Sequence, residues 1–303
     1  MSTPQVSCVI CTVDRSESIA AAVASVLRGD LRDIELVVID QSADDRTRDA
    51  CAPFAADPRF RYVHNLRRGL SRAYNRGIAE TRAPILAFTD DDCVAPTDWA
   101  ASILAVFERE PDIDMVYGQV IAPQAWPAGT HIPTLLYDRP ERISRGTGVR
   151  IIGMGANFAA RRALFERVGL FDEALGGGGP LRSSQDFDFQ YRVFRAGGVI
   201  RLSPEVNVEH HGARTIGEQW SRTLQAYGIG DGAFYWKHVR CGDLTALRLT
   251  LGRLLKLSVR EALNPIRRRS SHATYLRYFL AGIRESMRFP VDRERRLYVV
   301  GEQ

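Results

Sequence analysis

Five short apolar runs divide the first 120 residues, at 6–11, 34–39, 60–64, 85–89 and 115–120. Between them lie stretches with helical periodicity. Residues 16–27 put Ile19, Ala22, Val23 and Val26 on one face, and further helices are expected over 46–55, 71–80 (with Ser71 as its cap) and 97–110. Strands that are apolar along their whole length must be covered on both faces. Alternation with helices of this length then predicts an α/β fold with a mostly parallel central sheet flanked by helices.

In such sheets ligands bind beyond the carboxyl ends of the strands, and three of these ends carry acids. Asp14 follows the first run, Asp40 ends the second, and Ile85-Leu86-Ala87-Phe88-Thr89 runs into Asp90-Asp91-Asp92. Three adjacent carboxylates repel one another and bring no packing in return. Either they form a solvated acidic turn, or a hard divalent cation such as Mg²⁺ or Mn²⁺, itself bound to substrate phosphates, compensates them. Convergence of three acidic strand ends favours the second reading.

Beyond residue 120 the pattern loosens. Residues 121–148, rich in Pro, Gly and charge, read as a long crossing loop, with regular structure resuming at 149–152 and a helix at 161–168. Gly176-Gly177-Gly178-Gly179-Pro180 reads as a flexible segment before a helix that starts near Ser183-Ser184-Gln185-Asp186 and runs to Ala196. Val206 and Val208 alternate toward His210, and from about Gly217 the chain is expected to be helical to its end. This divides the chain into 1–120, 121–216 and a helical C-terminal extension over 217–303.

With 45% hydrophobic and 25% charged residues in 303, the composition is that of an ordinary globular protein. There is neither a membrane-spanning apolar run nor a secretory leader, which predicts a cytoplasmic protein. Five cysteines, an odd number, argue against a disulfide framework. Cys8 and Cys11 lie three apart on a strand and so face opposite sides, which predicts core packing rather than a metal site. The net charge of +5 is uneven: residues 237–303 carry 15 Lys/Arg against 6 Asp/Glu, and the rest of the chain is mildly acidic.

Taken in order, several motifs resemble family 2 glycosyltransferases of the GT-A fold. They are Ile10-Cys11-Thr12-Val13-Asp14-Arg15, Val37-Val38-Ile39-Asp40-Gln41-Ser42 and Arg68-Gly69-Leu70-Ser71-Arg72-Ala73-Tyr74-Asn75-Arg76-Gly77. The acidic triplet, Gly155-Ala156-Asn157, Arg161-Arg162, Gly169-Leu170-Phe171-Asp172, Gln185-Asp186-Phe187-Asp188 and His210 follow. The resemblance covers roughly residues 6–212. Residues 1–120 then correspond to the nucleotide-sugar-binding half of the GT-A domain and 121–216 to its acceptor-binding half.

The resemblance implies site roles. Asp90-Asp91-Asp92 matches the family's D-x-D, with Asp92 as the chief metal ligand, Asp90 reaching ribose or sugar, and Asp91 beside them. Asp40 matches the base-reading acid, which points to a UDP-sugar. Thr12 and Asp14 would line the same pocket, and Arg72 would meet nucleotide or phosphate. His210 would be a further metal ligand or a diphosphate contact. An inverting transfer needs one carboxylate to take the acceptor hydroxyl's proton. Asp186 is the candidate, with Asp188 second. Gln185 stands where the family usually has Glu.

The chain lacks the Q-x-x-R-W element and membrane spans of processive members, so transfer of a single sugar to a glycan or lipid-linked acceptor is expected. Two rivals are a sugar nucleotidyltransferase, for which the loop Thr12-Val13-Asp14-Arg15 lacks the glycines and lysine that grip a triphosphate, and a non-catalytic nucleotide-sugar or membrane-binding module. In the C-terminal extension, Arg253, Lys256 and Arg260 cluster on a helical wheel opposite Leu247, Leu251 and Leu254, and Arg267-Arg268-Arg269 follow. Such a helix either lies on an anionic membrane, at the inner face, or packs on the catalytic domain with a solvated basic side. No nucleic-acid partner is expected.

Overall fold

The computed structural model describes residues 3–263 and 272–301, and the chain forms two compact units. The first comprises residues 1–68, 72–170 and 189–214; the second comprises 69–71, 171–188 and 215–303. Arg267, Arg268 and Arg269 lie outside the described residues.

The first unit is built on strands β1 (Val6–Thr12), β2 (Ile34–Asp40), β3 (Phe60–His64), β4 (Ile85–Asp90), β5 (Cys93–Val94), β6 (Met115–Ile121), β8 (Glu141–Ile143), β9 (Asn157–Arg161) and β10 (Ile200–His210). The two-residue strands β7 (Thr130–His131) and β11 (Arg214–Thr215) are separate from this sheet. The order is β3-β2-β1-β4-β9-β6-β10-β5, with β8 on β10. Helices α1 (Ser16–Leu27), α2 (Arg46–Cys51), α3 (Leu70–Glu80), α4 (Trp99–Arg109), α5 (Arg162–Val168) and α6 (Gln185–Arg195) intervene in the chain.

The expected parallel arrangement holds for β3-β2-β1-β4 and again for β6-β10. Between these blocks β9 pairs antiparallel with both β4 and β6, so the sheet is mixed. All seven residues of β1 are buried, as a strand covered on both faces requires. Cys8 and Cys11 are free and buried, and burial pushes the Cys8 thiol up to about 12, so the pair is core.

Residues 149–152 form no regular structure, contrary to the sequence expectation. The side-chain amide of Gln190 stands in for a strand partner there: it accepts from the Ile152 N–H (3.0 Å) and donates to the carbonyls of Arg150 (3.1 Å) and Ile152 (2.9 Å). Asn157 is a clamp within the sheet. Its amide donates to the Gln119 (2.8 Å) and Val206 (3.3 Å) carbonyls and accepts from the Trp99 indole at 3.0 Å. Arg161 and Arg162 donate to main-chain carbonyls of Phe107, Ile113, Ile78 and Ala83, so this motif pair is structural.

The second unit contains α7 (Glu218–Arg240), α8 (Leu244–Ala262) and α9 (His272–Ser286). A β-carbon at Gly232 would lie 2.0 Å from the Phe279 carbonyl oxygen, and one at Gly282 would lie 2.1 Å from that of Ile229. Glycine at these positions is what lets α7 and α9 approach so closely. The chain does not stay helical to its end: after Pro290 a hairpin forms from β12 (Val291–Asp292) and β13 (Leu297–Tyr298). The Asp292 carboxylate accepts from the Glu294 and Arg295 N–H groups, which supplies the turn. Ser71 lies one residue inside α3, and its hydroxyl donates to the Leu175 carbonyl at 2.8 Å instead of capping the helix.

A buried polar network ties this unit together. Lys237 is fully buried and sits 2.6 Å from both Asp172 and Asp188; the Asp172 carboxylate also accepts from the Tyr298 N–H at 2.9 Å. His238 Nε2 lies 2.9 Å from Asp188, and Arg296, which can only donate, is 3.4 Å from Nδ1. The ring proton therefore belongs on Nε2. Burial pushes the His238 imidazole down to about 4, so it is neutral at pH 7.

Candidate active site

Parallel register brings the acidic strand ends to one edge of the first unit. Thr12 pairs with Asp40 across β1 and β2, and Cys11 pairs with Asp90 across β1 and β4. After β4 the chain turns through Asp91 and Asp92 into β5, which pairs antiparallel with the end of β10, His210 opposite Cys93. That pairing closes a sequence gap of more than 100 residues and sets the His210 Nε2 3.4 Å from Asp92 Oδ1. The His211 N–H also donates to the Asp92 carbonyl at 2.8 Å.

Gly212 makes the approach possible. A β-carbon there would lie 2.3 Å from Asp92 Oδ2 and 2.7 Å from His210 Cε1, so any larger residue presses on both groups.

Donor atoms of Asp92, Cys93 and His210 all lie within 4.8 Å of one another. Burial holds the His210 imidazole below its ordinary value and therefore neutral, with a lone pair to offer, and its Nδ1 is buried without a hydrogen-bond partner among the described residues. Burial, reinforced by the charges of Asp90 and Asp92, holds the Cys93 thiol well above its usual range. One carboxylate and one neutral imidazole thus lead the donor set, which suits Mg²⁺ or Mn²⁺ better than a thiolate-seeking metal. Arg15 Nη1 lies 3.2 Å from Asp92 Oδ2 and supplies a protein cation to the same carboxylate. Asp91 is buried beside them, and burial pushes its carboxyl up to about 6.

Asp40 is fully buried and its carboxylate is already engaged. It accepts from the Ser42 N–H (2.8 Å), the Ser42 hydroxyl (2.6 Å) and the Tyr62 hydroxyl (2.6 Å). The Ser42 oxygen in turn accepts from the Asp14 N–H at 2.8 Å. Asp40 therefore sets the loop after β1, where Asp14 adopts φ +55° and pairs with Arg68 at 2.9 Å. Thr12 is buried at the same edge, and Arg72 is half-buried on α3.

In the second unit the two candidate bases separate clearly. Asp188 is fully buried between Lys237 and His238 and has no solvent face. Asp186, in the first turn of α6, is half-buried, and its carboxylate accepts from the Phe187 N–H at 2.9 Å. The glycine run before α6, expected to be a flexible segment, is held by hydrogen bonds and turns. The Gly179 N–H donates to Gly176 (2.9 Å), the Leu70 N–H donates to Gly177 (2.8 Å), and Gly176 and Gly178 take left-handed φ of +95° and +77° that other residues resist.

Arg15, Cys93, Gly212 and Lys237 are the residues that sequence reasoning missed. Arg15 ends the first motif and Gly212 lies two residues past His210, so both carried a local signal. Cys93 lies between the fourth apolar run and the next expected helix with no role given to it, and Lys237 stands in a helix with nothing nearby to mark its partners.

The chain is 28% identical over 218 residues, 67% of its length, to an uncharacterized glycosyltransferase of Bacillus subtilis, EpsJ. Over 181 residues, 57% of its length, it is 27% identical to the glucosyl-dolichyl phosphate glucuronosyltransferase of Haloferax volcanii. It spans 59% and 57% of these two relatives. Among solved structures it resembles the mannosyltransferase PcManGT of Pyrobaculum calidifontis, in complex with GDP-Man and Mn²⁺. That likeness has a TM-score of 0.61 at 16% identity and covers 94% of this chain and 88% of that one, which supports a GT-A-type fold. The family model described as glycosyl transferase family 2 matches residues 7–169, more than half of the chain, and the protein belongs to that family.

Proposed function

We propose that this protein transfers one sugar, with inversion, from a nucleoside diphosphate sugar to a hydroxyl of a glycan or lipid-linked acceptor, with help from a divalent cation. The observation that carries this reading is the β5–β10 pairing, which sets Asp92 beside His210 at the carboxyl edge of the sheet. Asp92 and His210 would hold the cation, which when bound offsets the charge of the diphosphate leaving group.

Arg15 complements the same charge. Thr12, Asp14, Asp90 and Arg72 line the donor side, and Asp40 fixes the loop that Asp14 starts. Asp186 takes the proton from the acceptor hydroxyl as its oxygen bonds the anomeric carbon and the carbon–oxygen bond to the diphosphate breaks. Asp188 cannot share that role while it neutralises Lys237.

A UDP-sugar is the first donor to test, because Asp40 stands where the family has its base-reading acid; here Ser42 and Tyr62 hold that carboxylate, so its part would be to fix the loop beside the base rather than to touch it. A GDP-sugar is second, because the Pyrobaculum enzyme holds GDP-Man. The lipid-linked form of the acceptor draws support from the dolichyl phosphate substrate in the Haloferax relative's name. No helix among the described residues is long and apolar enough to cross a membrane, and we place the reaction in the cytoplasm.

The test is nucleoside diphosphate release from a panel of UDP- and GDP-sugars with Mn²⁺ or with chelator. Release from one nucleotide class that chelator abolishes is expected. Release indifferent to chelator would remove the cation from the reaction, and donor binding without release to any acceptor would favour a non-catalytic module.

A further inference from the structure

We infer that the outward face of α8 is a docking surface for an anionic lipid bilayer. α8 turns Ala246, Thr250 and Leu257 inward. That is a different line from the one the helical wheel predicts: Leu247 and Leu254 are only half-buried, and Leu251 faces solvent. A second apolar line remains uncovered. Leu244, Leu251, Leu255 and Val259 are 68%, 57%, 67% and 48% exposed, and their spacing of seven, four and four puts them on one face.

Charge on the exposed surface of α8 and α9 is mostly positive. Arg248, Lys256 and Arg260 are exposed on α8, and Arg277 and Arg284 are exposed on α9. The two acids of these helices, Glu261 and Glu285, are only half-exposed. Arg253, grouped with Lys256 and Arg260 by sequence, is half-buried and turned toward α9 instead. It lies 3.1 Å from the Tyr275 hydroxyl and 3.5 Å from buried Asp231.

A row of leucines in water flanked by cations has two partial remedies, and an anionic interface supplies both. The apolar line enters the acyl boundary while the arginine and lysine heads stay at the phosphates. A second copy of the chain seated on the same face would bring Arg248, Lys256 and Arg260 against their own counterparts. A nucleic acid would satisfy the charge and leave the leucines wet.

The inference stands apart from the transferase reading, since vesicle binding needs no donor. The test is co-sedimentation of the full chain with vesicles of phosphatidylcholine alone or mixed with phosphatidylglycerol. Wild type is expected to bind the mixed vesicles and not the neutral ones. Arg248→Gln/Lys256→Gln/Arg260→Gln should lose about a hundredfold in affinity. Leu251→Ser/Leu255→Ser, which leaves the charge intact, should lose on the order of tenfold. Both variants change exposed residues, and unaltered thermal melting confirms that they fold. Three results would overturn the inference: no binding to the mixed vesicles, binding unchanged by the serine variant, or a dimer in sedimentation equilibrium that the serine variant dissociates.

Discussion

Asp186→Asn is expected to cut sugar transfer by about 10³-fold while donor affinity stays at the wild-type level. Asparagine keeps the size of the side chain and can still accept from the Phe187 N–H, so the first turn of α6 should be unchanged. What it loses is a carboxylate able to take a proton. The informative comparison is Asp188→Asn. That carboxylate is fully buried against Lys237 and His238, so its loss should lower the melting temperature before it affects chemistry. Turnover and donor affinity measured on both variants separate the roles. Asp186→Asn with a substantial share of wild-type turnover would move the base to another residue.

Lys237→Met should be the most destabilising single change in the second unit. Methionine fills a similar volume, but it strands Asp172 and Asp188, each 2.6 Å from the ammonium and each fully buried. Breaking a buried ion pair from one side costs about 3–5 kcal/mol, because the remaining charge is left uncompensated. Here one cation serves two carboxylates. The Asp172 carboxylate also accepts from the Tyr298 N–H, so the C-terminal hairpin should loosen along with the segment before α6. Urea unfolding measures the loss. Restoring part of it with Asp188→Asn in the same chain would identify stranded charge as the cause. A change within about 1 kcal/mol of wild type would mean that the pair is offset elsewhere.

The parallel half of the sheet was legible in the sequence because β1, β4 and most of β2 are buried on both faces and so are largely apolar, with β3 a half-exposed edge. Burial also explains why Asp40 and Asp90 stand out, since each ends a stretch of at least four buried residues with no charge among them. The antiparallel insertion of β9 could not be read. Residues 157–161 carry no mark of the direction in which they pair, and the Gln190 side chain replaces strand pairing at 149–152. In the candidate site, the motifs single out Asp92 and Asp186 as the residues to test. The inward commitment of Asp40 was not legible, because it depends on Ser42 and Tyr62 closing over both carboxylate oxygens. The glycine run misled for a related reason. Glycines that look like slack in a sequence here supply left-handed turns and close packing against Gly69.

Calorimetric titration of UDP and GDP with and without Mn²⁺, on wild type and on Asp92→Ala, tests the central claim most directly. Asp92 is the carboxylate shared by His210 and Arg15, so its removal takes the acid out of the proposed cation site and leaves β4, which ends at Asp90, intact. Mn²⁺-dependent binding of one diphosphate by wild type is expected, with loss of that dependence in Asp92→Ala. Equal binding by both proteins, or no effect of Mn²⁺ on either nucleotide, would contradict it and reduce the acidic strand end to a solvated turn.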